Sequence, residues 1–163
     1  MKKIFLIIFF SLVSYNLSAS EKIAIADVDF ILKSSKKGIS IQNKFKAQNE
    51  KVINKFKKKE QKLKDKELEI SKKKNVLSDK DFNKEVSDFK KEVESYNLER
   101  KKESDKLTKD RNTEIVKLLK EINLILVEYS KKNNLSTVLD KKYVIMTKSE
   151  NDITKNILEI LDK

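Results

Sequence analysis

A single glycine, Gly38, and no proline in 163 residues leave this chain almost nothing with which to make tight turns. Two-residue hairpins need residues that tolerate positive φ, so a sandwich or barrel of many short strands is excluded. What survives is a chain of long helices, and the abundance of Lys, Glu, Leu and Ile supports that reading. Charged residues make up 39% of the sequence, well above the roughly 25% of an ordinary globular domain. The length fits one domain. With neither His nor Cys there is no zinc site of the usual kind, no thiol chemistry and no Ser-His-Asp relay. The chain is therefore not expected to be an enzyme, and no metal or cofactor is expected.

Residues 1–20 read as a secretory signal peptide. Met1-Lys2-Lys3 is a basic start, Ile4 to Val13 is an apolar run broken only by Ser11, and Ser18-Ala19-Ser20 supplies small residues. The run is too short to span a bilayer, and cleavage falls near Ser20. The expected location is thus an exported, oxidising compartment. Such proteins often carry disulfides, and none is possible here. Stability has to come from helix packing or oligomerisation.

Residues 21–163 carry 36 basic and 26 acidic side chains, and the surplus is concentrated. Residues 41–77 hold thirteen Lys against five acids, whereas 79–132 hold fourteen basic against thirteen acidic. Such a stripe is a footprint for a polyanion or an acidic client, or a solvated helix face. No cluster of Arg with aromatics accompanies it, so nucleic acid is not an expected partner.

The seven-residue step is the second constraint. Phe45 and Val52 lie seven apart, then Phe56, Leu63, Ile70 and Leu77 repeat the interval. The matching row four residues earlier is Val52, then Lys59, Lys66 and Lys73, so the seam narrows along the helix. Ser78-Asp79-Lys80-Asp81 reads as an N-cap with an acid three residues on. A second helix follows with Phe82, Val86, Phe89, Val93 and Tyr96, then a poor stretch over 97–114. Together these predict an antiparallel helical hairpin over 41–114 with its turn near 78–81. The first arm is about 55 Å long and the second helix about 80 Å, so the second runs on into a body.

That body is expected to comprise 21–40 and 115–163. Ten of the fifteen residues from Ile115 to Tyr129 are apolar, so this helical stretch is expected to be buried all round. Ile23 to Val28 reads as a strand, and Thr137-Val138-Leu139 with Tyr143-Val144-Ile145-Met146 reads as a β-hairpin turning at 140–142. A final helix is expected from Asp152 to Leu161, capped by Asn151 or Asp152. Ile23, Ile25, Val28, Ile115, Leu118, Ile122, Ile125, Val138 and Val144 are the expected body and oligomer core. The fold class is α+β, mainly α. So apolar a helix in so small a body implies subunits that share a core.

The strand Ile23-Ala24-Ile25-Ala26-Asp27-Val28-Asp29, the Lys37-Gly38 break, the Lys-rich hairpin, Ser136-Thr137-Val138-Leu139-Asp140 and Asn151-Asp152-Ile153-Thr154 resemble the Skp (OmpH-like) family of periplasmic chaperones. The resemblance implies a homotrimer whose β-containing bodies associate and whose helical hairpins project like tentacles around a cavity. It also implies that unfolded outer-membrane β-barrel proteins are held there without ATP or cofactor. Phe56, Leu63, Ile70, Phe82 and Phe89 are candidate client contacts, although heptad spacing equally suits a hairpin core. Lys59, Lys66 and Lys73 are candidate cations for an acidic client. Two other readings stand beside this one: a structural or adaptor coiled coil of the envelope, and a binder of anionic lipid surfaces.

Overall fold

The computed structural model describes residues 22–163. The expected signal peptide, 1–20, lies outside the described residues. Among the described residues no helix is long and apolar enough to cross a membrane.

The chain opens with strand β1 (Lys22–Ala26) and a short helix α1 (Val28–Ser34). Asp27 caps α1, its carboxylate accepting the Phe30 amide at 2.8 Å. Ser35 then closes α1 and caps the next helix, α2 (Lys36–Lys73), by accepting the Gly38 amide at 3.1 Å. Gly38 is therefore inside the first turn of α2 and is not a break. The long helix starts at Lys36, five residues before the arm was expected to begin.

A short turn over 74–78 leads to α3 (Asp79–Asn133). The Ser78 side chain accepts the Asp81 amide at 3.2 Å and donates to the Asp81 carboxylate at 2.6 Å, as the cap motif predicts. Because Ser78 is the cap, residues 79–81 already belong to the helix, and the turn falls a few residues earlier than expected. At about 1.5 Å per residue, α2 is about 57 Å long and α3 about 83 Å. Asn134 ends α3 in the left-handed conformation (φ 53°), the one positive-φ residue among those described.

Strand β2 (Leu135–Asp140) pairs with β1 in parallel, Ile23 opposite Thr137 through Ala26 opposite Asp140. The helical hairpin is thus the crossover between two parallel strands. The other edge of β1 is met by a single bridge to Asp152, with the Ile153 amide donating to the Ile25 carbonyl at 2.9 Å. The final helix, α4 (Thr154–Leu161), packs its Ile157 and Leu161 onto Leu118 and Ile122 of α3, Ile31 of α1 and Ala24 and Ala26 of β1.

Two expectations are corrected here. Residues 143–146 form no strand and β2 has no hairpin partner. Asp140 instead accepts the Lys142 amide at 3.2 Å and caps a 3-10 turn over Lys141–Tyr143. Asp140 also binds the Lys142 ammonium at 2.9 Å, and Asp152 that of Lys141 at 2.7 Å. A hairpin turning over 140–142 would need a left-handed residue among Asp140, Lys141 and Lys142, and none of the three has positive φ. The last helix starts at Thr154 rather than Asp152, because Asp152 makes the β1 bridge while its carboxylate accepts the Thr154 amide at 3.0 Å.

Candidate binding surface of the helical arm

The two arm helices meet along a seam of widely spaced apolar side chains. Phe45, Phe56 and Ile70 of α2 are buried, and Leu63 is half-buried. From α3, Phe82, Phe89 and Tyr96 are half-buried, and Tyr96 meets Phe56 edge to face with centroids 5.7 Å apart. All five apolar client candidates, Phe56, Leu63, Ile70, Phe82 and Phe89, therefore face the partner helix to some degree.

Between these contacts the seam is closed by charge. Lys59 binds Glu99, Lys66 binds Glu92, and Lys73 binds Glu85 at 3.2 Å. Each seven-residue step up α2 is matched by seven residues down α3, so the three pairs form one antiparallel ladder. Lys55 keeps the same register, reaching Glu103 at 3.0 Å and Glu99 at 2.9 Å, and Lys37 binds Glu121 at the root of the arm. The ammonium of Lys59 and then that of Lys55 hold the Glu99 carboxyl below its ordinary range. Glu99 and then Glu103 raise Lys55. The three candidate cations are thus engaged within the arm. Their partners were missed in the sequence, although Glu85, Glu92 and Glu99 recur at the same interval of seven.

At roughly 100° per residue the ladder runs along one margin of the helix pair. The opposite margin is open. Two clefts of about 530 and 480 Å³ lie there and share Asn49 and Leu107. Their lining includes Phe45, Phe56 and Tyr96, together with Ile53, which is 55% exposed. Elsewhere on the arm Leu68, Val76 and Leu98 are exposed singly.

The body carries a second kind of surface. Leu118 and Ile122 are buried within the chain's own core, as is Ile25 in β1, while Val28, Ile115, Ile125, Val138 and Val144 are half-buried. Ile23 is exposed. The apolar end of α3 is not covered on all sides: Val116, Leu124 and Val127 are exposed. Val127 and Leu139 line one groove of about 450 Å³ between α3 and β2. Beyond it Tyr143, Ile145 and Met146 are almost fully exposed. No group of three metal-ligating side chains occurs among the described residues.

The hairpin-on-body shape has a solved counterpart. A Caulobacter crescentus protein described as a candidate outer membrane chaperone (OmpH-like) superposes with a TM-score of 0.80 at 14% identity, covering 87% of this chain and 84% of the other. No curated protein matches the chain in sequence. The family model for outer membrane protein (OmpH-like) matches residues 22–161, from β1 to the last residue of α4. The chain belongs to the OmpH-like outer membrane protein family.

Proposed function

We propose that this protein is an ATP-independent periplasmic holdase. Bodies associate as a homotrimer, and unfolded outer-membrane β-barrel proteins are kept from aggregating in the space between the arms. The observation that carries the reading is the division of labour within one chain. A compact body leaves Leu124, Val127, Leu139, Ile145 and Met146 uncovered, and an arm of about 55 Å projects from it with only scattered apolar groups in a basic surface. The body surface suits other copies of the chain. The arm surface suits many weak, exchangeable contacts, each contributing about 25 cal/mol per Å² of apolar area covered. Three arms acting together would supply avidity. Family membership favours a binding role of this kind over catalysis.

An envelope spacer or adaptor is the second reading, and the Lys–Glu ladder favours it, because a braced arm is what a spacer needs. One experiment separates them. A urea-unfolded outer-membrane barrel is diluted into the protein without nucleotide, followed by light scattering and native mass spectrometry. Suppressed scattering and a species of three chains with one client are expected. An oligomer that leaves scattering unchanged would establish the spacer.

A further inference from the structure

The two clefts on the open margin of the arm form one trough, and its charge is unlike that of the seam. Lys46, Lys57, Lys64, Arg100 and Arg111 line it against one carboxylate, Glu60. Glu60 is bound to Lys64 at 2.9 Å, and the ammonium of Lys64, with Arg100 adding to it, holds the Glu60 carboxyl below its ordinary range. Lys46, Lys57, Arg100 and Arg111 make no ion pair among the described residues. The cross-arm ion pairs, by contrast, lie on the ladder margin. The trough spans α2 from Gln42 to Lys64, about 33 Å, which matches an extended peptide of about ten residues. Phe45 and Phe56, buried in the seam, form its floor, and half-buried Tyr96 with exposed Ile53 supplies the apolar surface a ligand can reach.

We infer that this trough binds an extended, acidic client segment in which carboxylates flank an aromatic or aliphatic side chain. The inference rests on the holdase reading and gives it a place and a peptide chemistry. Apolar side chains from the segment settle on Ile53 and Tyr96. Its carboxylates meet the cations that have no partner of their own, so no existing ion pair is broken on binding. Lysines of the ladder could serve in this way only by giving up their glutamate partners.

The test uses the whole folded chain and three labelled ten-residue peptides: one of Asp and Glu with two Phe, one with the acids replaced by Lys, and one with the Phe replaced by Ser. Fluorescence anisotropy should rank the acidic aromatic peptide first. The double variant K57E/R100E should weaken it about tenfold or more and shift preference towards the Lys peptide. Lys80→Glu, at the far tip, should change nothing. Both groove positions are exposed and outside the seam, and far-UV circular dichroism checks that the arm persists. A photo-crosslinker at position 53 provides a readout without charge change and should capture the peptide. Equal binding by K57E/R100E, or equal binding of the Ser peptide, would overturn the proposal. So would tighter binding, with the same dependence on Lys57 and Arg100, of phosphatidylglycerol vesicles or a single-stranded oligonucleotide. Barrel aggregation is measured in parallel. Suppression that survives without peptide binding overturns the trough alone, and peptide binding without suppression overturns the holdase reading alone.

Discussion

Single residues hold the root of the arm at the places where chain segments approach most closely. A Cβ built on Gly38 would lie 1.8 Å from the Leu32 carbonyl oxygen, which forces the last turn of α1 and the first turn of α2 apart. Helix propensity alone would favour alanine here by about 1 kcal/mol. Gly38→Ala is nevertheless expected to destabilise the body by about 1–3 kcal/mol, because overpacking against backbone outweighs propensity. Chemical denaturation gives the sign directly, and a stabilised variant would refute the steric account. Asp152 is the second such residue. Burial would raise its carboxyl, but Lys141 and the hydroxyl and amide of Thr154 outweigh burial and bring it down to about 2. A depressed carboxylate stabilises the fold above its unfolded value, near 4, and that contribution is lost as pH falls towards 2. Asp152→Ala should cost about 1.5–3 kcal/mol at neutral pH. The gap between variant and parent should close between pH 4 and 2, which thermal melts across that range would show. Much of this scale was legible in the sequence. The Ser78–Asp81 cap could be read from four letters, since its interactions are local. The structural use of Gly38 could not, because the oxygen it must clear belongs to a different helix.

The arm shows how an element can keep its register with few apolar contacts. A seam with Lys59, Lys66 and Lys73 in one heptad row looks weak until the opposite helix is aligned, and then each lysine has a glutamate. Exposed pairs are individually small, but a register shift would break all of them together. Glu92→Lys should speed amide exchange over 62–70 by about two- to five-fold, and adding Lys66→Glu should restore the parent rate. Hydrogen exchange of the single and double variants makes the comparison. A double variant no slower than the single would show that the ladder contributes nothing to the register. The heptad interval was readable from sequence, whereas the pairing needed the turn position that aligns one helix on the other. The misread β-hairpin has the converse cause. Thr137–Leu139 and Tyr143–Met146 both have strand composition, but the true partner of β2 is β1, across the whole of residues 27–134. Local pattern carries no information about a pairing that distant, and the Asp140 cap settled the intervening turn.

At the scale of the whole molecule, burial separates residues that hold the subunit from residues available to bind another. Ile122 is in the chain's own core, so changing it would unfold the body and say little about assembly. Val127 and Leu139 border the open groove between α3 and β2. Val127→Asp with Leu139→Asp should yield a folded monomer, seen as a fall in native mass with unchanged far-UV circular dichroism. An unchanged oligomer would move the interface elsewhere. Assembly would also bring the arms together, and their charge then acts on their spacing. Residues 41–132 hold 27 basic against 18 acidic side chains, and the ladder neutralises equal numbers of each, so the surplus persists. Arms of one sign repel across the space between them, with a range of about 30 Å at 0.01 M salt and about 8 Å at 0.15 M. Raising salt should therefore draw the tips inward and reduce the radius of gyration measured by small-angle scattering. The same change should slow capture of an acidic client, since screening removes long-range steering, while release changes less. K57E/R100E lowers the surplus without touching the ladder, so it should reproduce both effects in part at low salt. A radius and a capture rate that ignore salt would assign the basic stripe to hydration alone.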